Sequence, residues 1–519
     1  MGTKGSSGGQ LRLGVILNYI NIGLGNLIPI FYTPIMLRLL GQSEYGLYKL
    51  SATVTSYLSL VAFGIGSAIT RYIIKTGTEE GKEAEEKMFG LFLTIFRVIG
   101  LVALLGGVFL IFNVDSWYSA SLDSGQLDRM RILMAIMTLN TALSFVLSPY
   151  ISVVTAHERY VFVQCMHIFA TCVIPIANLI VLFMGFASIG MAVSSLVLQF
   201  LMRIVYLVYV KRNLHLRPRF EKVSFSKVKE VLLFSFWVFV GEIVDKLYTA
   251  TDTTLIGAVP NLATNGVAVY HVGTVFSGAV LTIAVGLSGL LSPRTNKLVF
   301  EGASNSELTD FAIRIARMQA IIVGLITSGF IVFGTPFIHF YVGDLYRDSY
   351  WVALLIMIPN SVPIVQNVFL NIIVAKNKHR FRSLVYLGIA IVNVIGTWFL
   401  LKYMGVIGAA LMTGIARIIG QGFVMNWYYL KRMGLEIGRF WKSILPIYTF
   451  AALLAFSAYI VGSFLVDFYK VGNLIFCILI FTLSYAIFCW LTIMNNQERS
   501  LIKDVLGIKT KHISAINSN

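Results

Sequence analysis

The chain has 519 residues, of which 57% are hydrophobic and only 13% are charged. A soluble domain carries about 25% charged residues, so this composition excludes an ordinary soluble protein and predicts an integral membrane protein. The formal net charge of +17 is spread over many loops, which is typical of anchoring to anionic lipid headgroups and argues against nucleic-acid binding.

Apolar segments long enough to cross a bilayer recur along the whole chain. A membrane-spanning helix needs roughly 20 predominantly apolar residues, and successive segments of the sequence meet that requirement. In chain order they occupy residues 11–40, 45–75, 88–113, 128–155, 160–184, 187–211, 229–257, 265–292, 308–338, 350–375, 383–402, 405–430, 441–466 and 471–494. The predicted fold class is therefore an all-α polytopic membrane protein with about 14 transmembrane helices.

The second half of the chain resembles the first half. Similar short motifs recur at a nearly constant offset, and the pairs are Gly46 with Gly266, Gly66 with Gly286, Ile189-Gly190 with Ile407-Gly408, and Lys211-Arg212 with Lys431-Arg432. Duplicated helical bundles are typical of alternating-access carriers, in which two similar lobes move about a site between them. The repeat therefore favours a transporter over a channel or a membrane-bound enzyme.

The repeat also predicts the domain organisation. We expect two pseudo-symmetric six-helix lobes, an N-lobe at 1–212 with helices one to six and a C-lobe at 213–430 with helices seven to twelve. The C-lobe includes a basic cytoplasmic linker at 213–228. Residues 431–519 hold two extra C-terminal helices and a cytoplasmic tail, which lie outside the duplication.

Lysine and arginine residues are unevenly distributed over the loops. The stretch 211–229 alone contains seven of them, whereas the segments on the other side of the membrane contain few. Those few are Arg129, Arg131, Arg347, Lys402 and Lys470. Because cytoplasmic loops are enriched in Lys and Arg, we predict a multi-pass protein of the cytoplasmic membrane with both termini in the cytoplasm.

Predicted helix seven carries the densest set of polar side chains. Glu242, Asp245, Lys246, Thr249 and Asp252 recur at helical spacing, which places them on one stripe. Ionisable groups inside a span are costly unless they contact protein or water, so the stripe is predicted to line a wet cavity or a polar interface. The alternative is a self-neutralising pair of Glu242 and Lys246, but the carboxylates outnumber the single lysine.

Predicted helix one is the repeat counterpart of helix seven, and it has a small, polar face. Asn18, Asn21, Gly25 and Pro29 lie on this face, and the two prolines Pro29 and Pro34 predict local bending of the helix. Helices that are rich in small residues and kinked, and that lie at corresponding positions of two repeats, indicate the binding site of a carrier. Close helix packing explains Gly25 equally well, so Asn18 and Asn21 are the cavity candidates.

Isolated cations complete the predicted cavity. Lys49, Arg97, Arg203 and Arg417 lie within spans, and Arg97 and Arg203 have no carboxylate within a helical turn. Snorkelling to the membrane surface is the alternative for each of them. Two or three unpaired cations in one cavity would form a site for an anion such as phosphate or pyrophosphate. His271, in contrast, is interpreted as a polar packing residue.

The sequence lacks motifs for catalysis. It contains no P-loop, no HExxH and no G-x-S-x-G motif, and its four cysteines lack metal-type spacing. We therefore expect no enzyme activity, no catalytic residue, no metal site and no bound cofactor. The expected coupling ion for transport is H+ or Na+.

Two parts of the sequence resemble a known family. Met36–Tyr48 is similar to the end of the first helix in polysaccharide flippases of the multidrug/oligosaccharidyl-lipid/polysaccharide exporter superfamily. Thr251–Gly257 followed by Asn265–Tyr270 resembles the corresponding stretch in the second lobe of that family. The helix count and the six-plus-six duplication match along essentially the whole chain.

The resemblance implies a substrate and partners. It implies a V-shaped cavity between two lobes and the transfer of an undecaprenyl-pyrophosphate-linked oligosaccharide from the inner to the outer leaflet, with the lipid tail left in the bilayer. The implied partners are this lipid-linked substrate, membrane lipids, and the glycosyltransferases or polysaccharide polymerase of the same pathway.

Three other functions compete with this interpretation. A drug or cation extruder of the same superfamily would need an acidic cavity, and the scattered cations argue against it. A lipid II flippase would be favoured by cavity arginines in the first two helices, whereas Arg38 and Lys49 lie near the predicted external end. A scaffold for cell-wall synthases is the third alternative.

Overall fold

The computed structural model describes residues 7–221, 225–289, 292–376 and 378–505, and within these ranges it contains helices and no strand. This confirms the predicted all-α fold class. Some predictions concern residues outside the described ranges, namely Lys222 in the basic linker and the cytoplasmic tail from 506 onwards.

The first half of the chain forms a series of helices joined by short turns. They are α1 (Ser7–Leu40), α2 (Gln42–Ser56), α3 (Ile65–Glu79), α4 (Lys82–Phe112), α5 (Val114–Tyr118), α6 (Ser124–Ala156), α7 (Tyr160–Phe183), α8 (Ala187–Tyr209), α9 (Phe225–Thr249) and α10 (Thr251–Ala258). A 3-10 segment, Tyr57–Ala62, follows α2, and a π-helical turn, Val210–Leu214, follows α8.

The second half continues in the same manner. Its helices are α11 (Ala263–Gly289), α12 (Ser292–Phe300), α13 (Asn305–Val342), α14 (Ser349–Val365), α15 (Asn367–Ala375), α16 (His379–Arg417), α17 (Met425–Met433), α18 (Ile437–Leu465), α19 (Val471–Phe488) and α20 (Asn496–Val505). Two further π-helical segments, Ile418–Val424 and Cys489–Ile493, follow α16 and α19.

Many of these helices can cross a membrane. In the described part of the chain, 9 helical stretches are long and apolar enough, and the bent pair α14 and α15 raises the number to 10. One stretch, Phe381–Met433, contains predicted helices eleven and twelve and is broken between them at Gly405, whose φ of 57° is not helical. The protein is a multi-pass membrane protein, and the number fourteen stays a prediction.

Three predicted helices are divided in the structure. Predicted helix two is interrupted at Phe63 and Gly64, which both have positive φ, so α2 and α3 are separate helices. Predicted helix seven ends at Thr249, and α10 begins at Thr251. Predicted helix ten is the bent pair α14 and α15. The expectation of unbroken helices is wrong at these three places, because a long apolar run does not record local breaks in the backbone.

The chain divides into two compact units. The first contains residues 1–271 and 390–409, and the second contains residues 272–389 and 410–519. Both sequence repeats contribute to the first unit, because α9, α10 and the start of α11 belong to it. The lobe boundaries at residues 212 and 430 come from the sequence repeat and not from these contacts, and they stay a prediction.

Each unit has its own aromatic core, and apolar side chains also cover the helix surfaces. Phe89 lies in the core of the first unit and Phe369 in the core of the second. On α4, the exposed residues Leu101, Leu105 and Phe109 follow one helical face. Soluble proteins rarely expose such contiguous apolar patches, so lipid is the expected neighbour of this surface.

Candidate functional site

The polar stripe of predicted helix seven is shared between two helices. Glu242 and Lys246 are half-buried on α9, and Asp245 and Thr249 are exposed on it. The Thr249 hydroxyl donates a hydrogen bond to the backbone carbonyl oxygen of Asp245, at 2.8 Å. Because α9 ends at Thr249, Asp252 belongs to the next helix and has different surroundings.

Asp252 is buried in the first turn of α10, with 1% of its surface exposed. Its carboxylate accepts a hydrogen bond from the Tyr270 hydroxyl at 2.5 Å and another from the Thr397 hydroxyl at 3.2 Å. These three residues, named the Asp252 cluster, join α10, α11 and α16 within the first unit. Protein donors, rather than bulk water, therefore stabilise this carboxylate.

A second polar cluster lies where α2 meets α11. The Tyr45 hydroxyl and Nδ1 of His271 are 2.8 Å apart, and the two rings pack edge-on. One turn along α2, Lys49 Nζ lies 5.4 Å from the ring centroid of Tyr45 and 5.9 Å from that of Tyr48. The aromatic faces stabilise the ammonium group, and His271 has the polar packing contact that the sequence suggests.

α2 and the start of α11 also touch through their backbones. A methyl group on Gly46 would lie 1.8 Å from the carbonyl oxygen of Thr264. Beside this contact, the hydroxyl oxygens of Ser43 and Thr264 are 3.0 Å apart. At the start of the 3-10 segment that follows α2, the hydroxyl oxygens of Tyr57 and Thr251 are 3.3 Å apart. We name these contacts between α2 and the α10–α11 region, with the Tyr45–His271 pair, the repeat seam.

The polar face of helix one is partly used in packing. The side-chain oxygen of Asn21 accepts a hydrogen bond from the Thr171 hydroxyl of α7, at 2.9 Å. Asn18 is half-buried one turn earlier. α1 passes through Pro29 and Pro34 as one helix. Asn21 thus holds α1 against α7, and Asn18 stays a candidate for contact with a ligand.

Arg203 has polar partners between α6 and α8. Its guanidinium donates hydrogen bonds to the side-chain oxygens of Asn140 and Gln199, both at 3.3 Å. Asn140 and Gln199 are also hydrogen bonded to each other. Arg203 is therefore held in a neutral amide environment, which leaves its positive charge without compensation by these partners.

The other predicted cations lie in different surroundings. Lys49 lies beside the repeat seam, against the rings of Tyr45 and Tyr48 on its own helix. Arg97 is exposed on α4, with its guanidinium carbon 4.9 Å from the ring centroid of Phe220 in the linker. Arg417 ends α16 in the second unit, where it is half-buried. A common anion site formed by these cations stays a prediction.

The Asp252 cluster and the repeat seam are both arrangements of hydrogen-bonding groups. Among the described residues, no group of three or more His, Cys, Asp or Glu is arranged to hold a metal ion. The Asp252 cluster instead combines one carboxylate with hydroxyl donors from two other helices. A movement between these helices would change the partners of the carboxylate and hence its affinity for a small cation.

Sequence reasoning missed the repeat seam. Its signal was present in the matched glycines Gly46 and Gly266, because both lie close to neighbouring atoms. A methyl group on Gly266 would lie 2.7 Å from the side chain of Leu262. The hydroxyls of Ser43 and Thr264 carry no charge, however. In an apolar sequence they look like ordinary helix-packing residues.

The fold is similar to that of helical membrane transporters of the MurJ and MATE type. The lipid II flippase MurJ in an inward closed conformation matches with a TM-score of 0.73 and 15% identity, over 95% of this chain and 100% of that chain. An inward-facing multidrug resistance transporter of the MATE family, in the MOP superfamily, matches with a TM-score of 0.57 and 13% identity, over 80% and 95%. The Vibrio cholerae MATE transporter VcmN in its bent form matches with a TM-score of 0.52 and 14% identity, over 86% and 99%.

The chain belongs to the polysaccharide biosynthesis protein family, whose family model matches residues 11–295. The matched stretch includes the repeat seam and two of the three members of the Asp252 cluster. No curated protein matches the chain significantly in sequence. The resemblance to polysaccharide flippases of this superfamily is confirmed at the level of family and fold.

Proposed function

We propose that the protein is a flippase that moves an undecaprenyl-pyrophosphate-linked oligosaccharide from the inner to the outer leaflet during assembly of a cell-surface polysaccharide. The observation that carries the proposal is the polysaccharide family match together with a transporter fold over 95% of the chain. Assembly of a surface polysaccharide needs such a transporter when its lipid-linked substrate is made on one side of the membrane and used on the other.

The polar groups within the spans support such a substrate. Sugar hydroxyls and a pyrophosphate lose their hydration in hydrocarbon, which is costly unless protein groups replace the water. Asn18, Glu242 and Asp245 offer hydrogen bonds to the oligosaccharide, and Arg97 and Arg203 attract the pyrophosphate. The lipid tail stays in the bilayer while the head group crosses.

The repeat seam is the proposed gate. It consists of one close backbone contact and a few neutral hydrogen bonds, among them those of Ser43, Tyr45 and Tyr57. Each neutral hydrogen bond contributes about 0.5–1.5 kcal/mol net. Together these contacts hold the gate closed. Because each one is weak, the free energy of ion coupling is sufficient to break them and open the gate.

Asp252 is the proposed coupling residue. Its hydroxyl donors come from α11 and α16, and the neighbouring Thr251 is part of the repeat seam. Opening the seam would move α10 and expose the carboxylate to a proton or a sodium ion. Binding of either cation in one state only would link transport to a gradient.

Location and partners complete the proposal. The distribution of Lys and Arg supports a cytoplasmic membrane location with both termini inside. The glycosyltransferases and the polysaccharide polymerase of the pathway are the proposed protein partners, because the first supply the substrate and the second consumes it.

A lipid II flippase is the second candidate. The MurJ structure matches over more of the chain and with a higher TM-score than the MATE transporters do, 0.73 against 0.57 and 0.52. This difference favours a lipid-linked substrate over a small drug. The two lipid-linked substrates share the polyprenyl pyrophosphate and differ in the attached glycan.

Depletion of the protein in cells tests the proposal. We expect the lipid-linked oligosaccharide to accumulate in the inner leaflet while its synthesis continues, and surface polysaccharide to fall. Re-expressed wild-type protein should restore export, and Asp252→Asn at equal abundance should restore about tenfold less, a loss of about 1.4 kcal/mol. Accumulation of lipid II instead would favour the second candidate, and unchanged export would contradict both.

A further inference from the structure

A cavity of about 430 Å³ opens at the end of α8 in the first unit. Its walls come from Tyr150 of α6, from Leu207 and Lys211 at the end of α8, and from Leu216 and Arg217 of the linker. With Val210 and Pro218, which complete the lining, the cavity wall is mostly apolar and carries two basic side chains. None of these residues was assigned to the predicted transport path.

The backbone forms this cavity by an irregular end to α8. The π-helical turn Val210–Leu214 widens the helix, and His215, with a φ of 50°, turns the chain back. Leu216 then inserts into the core and is 3% exposed. Single π-helical turns occur frequently at functional sites, so this irregular end is a reason to look for a ligand.

The linker lies across the N-terminal end of α4 and is bound to it. The Arg219 guanidinium donates hydrogen bonds to the carboxylates of Glu86 at 3.0 Å and Glu83 at 2.8 Å. Its backbone N–H donates to the carbonyl oxygen of Glu86 at 3.0 Å. At Gly90, a methyl group would lie 2.0 Å from the carbonyl oxygen of Arg219. The wall of the cavity is thus fixed in place.

The charge on the cavity wall is not balanced. The nearby carboxylates of Glu83 and Glu86 are bound by Arg219, and Glu86 also accepts a hydrogen bond from the backbone N–H of Arg217 at 3.3 Å. Among the described residues, no carboxylate lines the cavity itself. Lys211 and Arg217 do line it, and within the described part of the chain neither side chain forms an ion pair. A net-positive cavity with fixed walls is suited to an anion.

We propose that this basic pocket binds the phosphate of an anionic phospholipid headgroup from the cytoplasmic leaflet. Lys211 and Arg217 contact the phosphate, and Leu207 and Leu216 face the glycerol and the first carbons of the acyl chains. Basic pockets between helices on the cytoplasmic side bind such headgroups, and the volume is within the usual range for a ligand site.

Thermal unfolding of the purified full-length protein in detergent tests the site. Phosphatidylglycerol, phosphatidylcholine or inorganic phosphate is added at increasing concentration. We expect phosphatidylglycerol alone to raise the unfolding midpoint and to reach saturation. Lys211→Ala with Arg217→Ala should weaken its binding by about tenfold or more, because two charge-assisted contacts are lost.

The control is Lys431→Ala with Arg432→Ala, which removes the same charge at the corresponding end of the second repeat. This variant should bind phosphatidylglycerol as the wild type does. Lys211→Arg with Arg217→Lys, which keeps the charge, should also bind and so shows that the pocket folds. Equal loss in the control, unweakened binding by the double alanine variant, or equal stabilisation by inorganic phosphate would each overturn the proposal of a lipid site.

Discussion

At the scale of single residues, the first unit contains a few buried polar groups that satisfy one another's hydrogen bonds. Asp252 is stabilised by the hydroxyls of Tyr270 and Thr397, and Tyr45 by His271. Water does not replace a partner that is removed from such a site, so each loss has a measurable cost in stability. Two substitutions test this at the Asp252 cluster and at the repeat seam.

Tyr270→Phe removes the shorter hydrogen bond to Asp252 and keeps the aromatic ring. We expect the free energy of unfolding to fall by about 1–3 kcal/mol, because a buried carboxylate loses a donor. The thermal unfolding midpoint in detergent measures the change. Tyr403→Phe is the control, since Tyr403 is 84% exposed and its loss of a hydroxyl should change little. Equal stability of the two variants would contradict the cluster.

Gly46→Ala places a methyl group against the carbonyl oxygen of Thr264 and should force the repeat seam apart. We expect a loss of about 1–3 kcal/mol in stability, the usual cost of overpacking. Ser43→Cys with Thr264→Cys should form a disulfide across the intact seam, and adding Gly46→Ala should reduce its yield.

The matched control for this test is Gly66→Ala. Gly66 is the next glycine of the same repeat motif, and a methyl group there would have no neighbour within 4 Å. We expect wild-type stability and full disulfide yield for this variant. Equal effects of the two alanine substitutions would show that helix propensity, and not the close contact, decides the outcome.

At the scale of helices, the breaks decide which polar groups share an environment. The end of α9 at Thr249 leaves Asp245 exposed and lets Asp252 enter a buried cluster on α10. The sequence predicted the polar stripe from helical spacing alone. It could not predict the break, because Ala250 is a strong helix former and the contacts of α10 come from residues far away in the chain.

Thiol labelling on α9 and α10 tests this division. In a background without the four native cysteines, Asp245→Cys should react with a membrane-impermeant reagent, because Asp245 is exposed. Val244→Cys is the control and should not react, since Val244 is 7% exposed. Asp252→Cys should react only in the state that opens the repeat seam. Reaction of Val244→Cys instead of Asp245→Cys would mean that the opposite face of α9 is wet.

At the scale of the whole molecule, composition and duplication carried most of the prediction. The all-α fold and the positions of the helices follow from long apolar runs, and Gly405 separates predicted helices eleven and twelve where the sequence does. The partners of Asp252 and Lys49 could not be predicted in the same way. They depend on contacts between helices that are distant in sequence, and a single hydroxyl or ring carries no periodic signal.

The orientation in the membrane is a prediction at this scale. Because Lys and Arg concentrate in alternate loops, a reporter fused after Asn519 should lie in the cytoplasm. Green fluorescent protein at that position should fluoresce, and alkaline phosphatase should be inactive. The same phosphatase inserted in the predicted external loop at Gly343 should be active. Phosphatase activity at Asn519 would contradict an even number of spans.

Reconstitution into liposomes tests the central claim most directly. A fluorescent undecaprenyl-pyrophosphate oligosaccharide is placed in both leaflets, and an impermeant reagent modifies only the molecules in the outer leaflet. With wild-type protein and an imposed gradient of H+ or Na+, the account predicts that the protected inner-leaflet fraction is carried outward and modified, and that Asp252→Asn stops this movement. Wild-type protein that leaves the protected fraction unchanged, while it moves a cationic dye under the same gradient, would contradict the account.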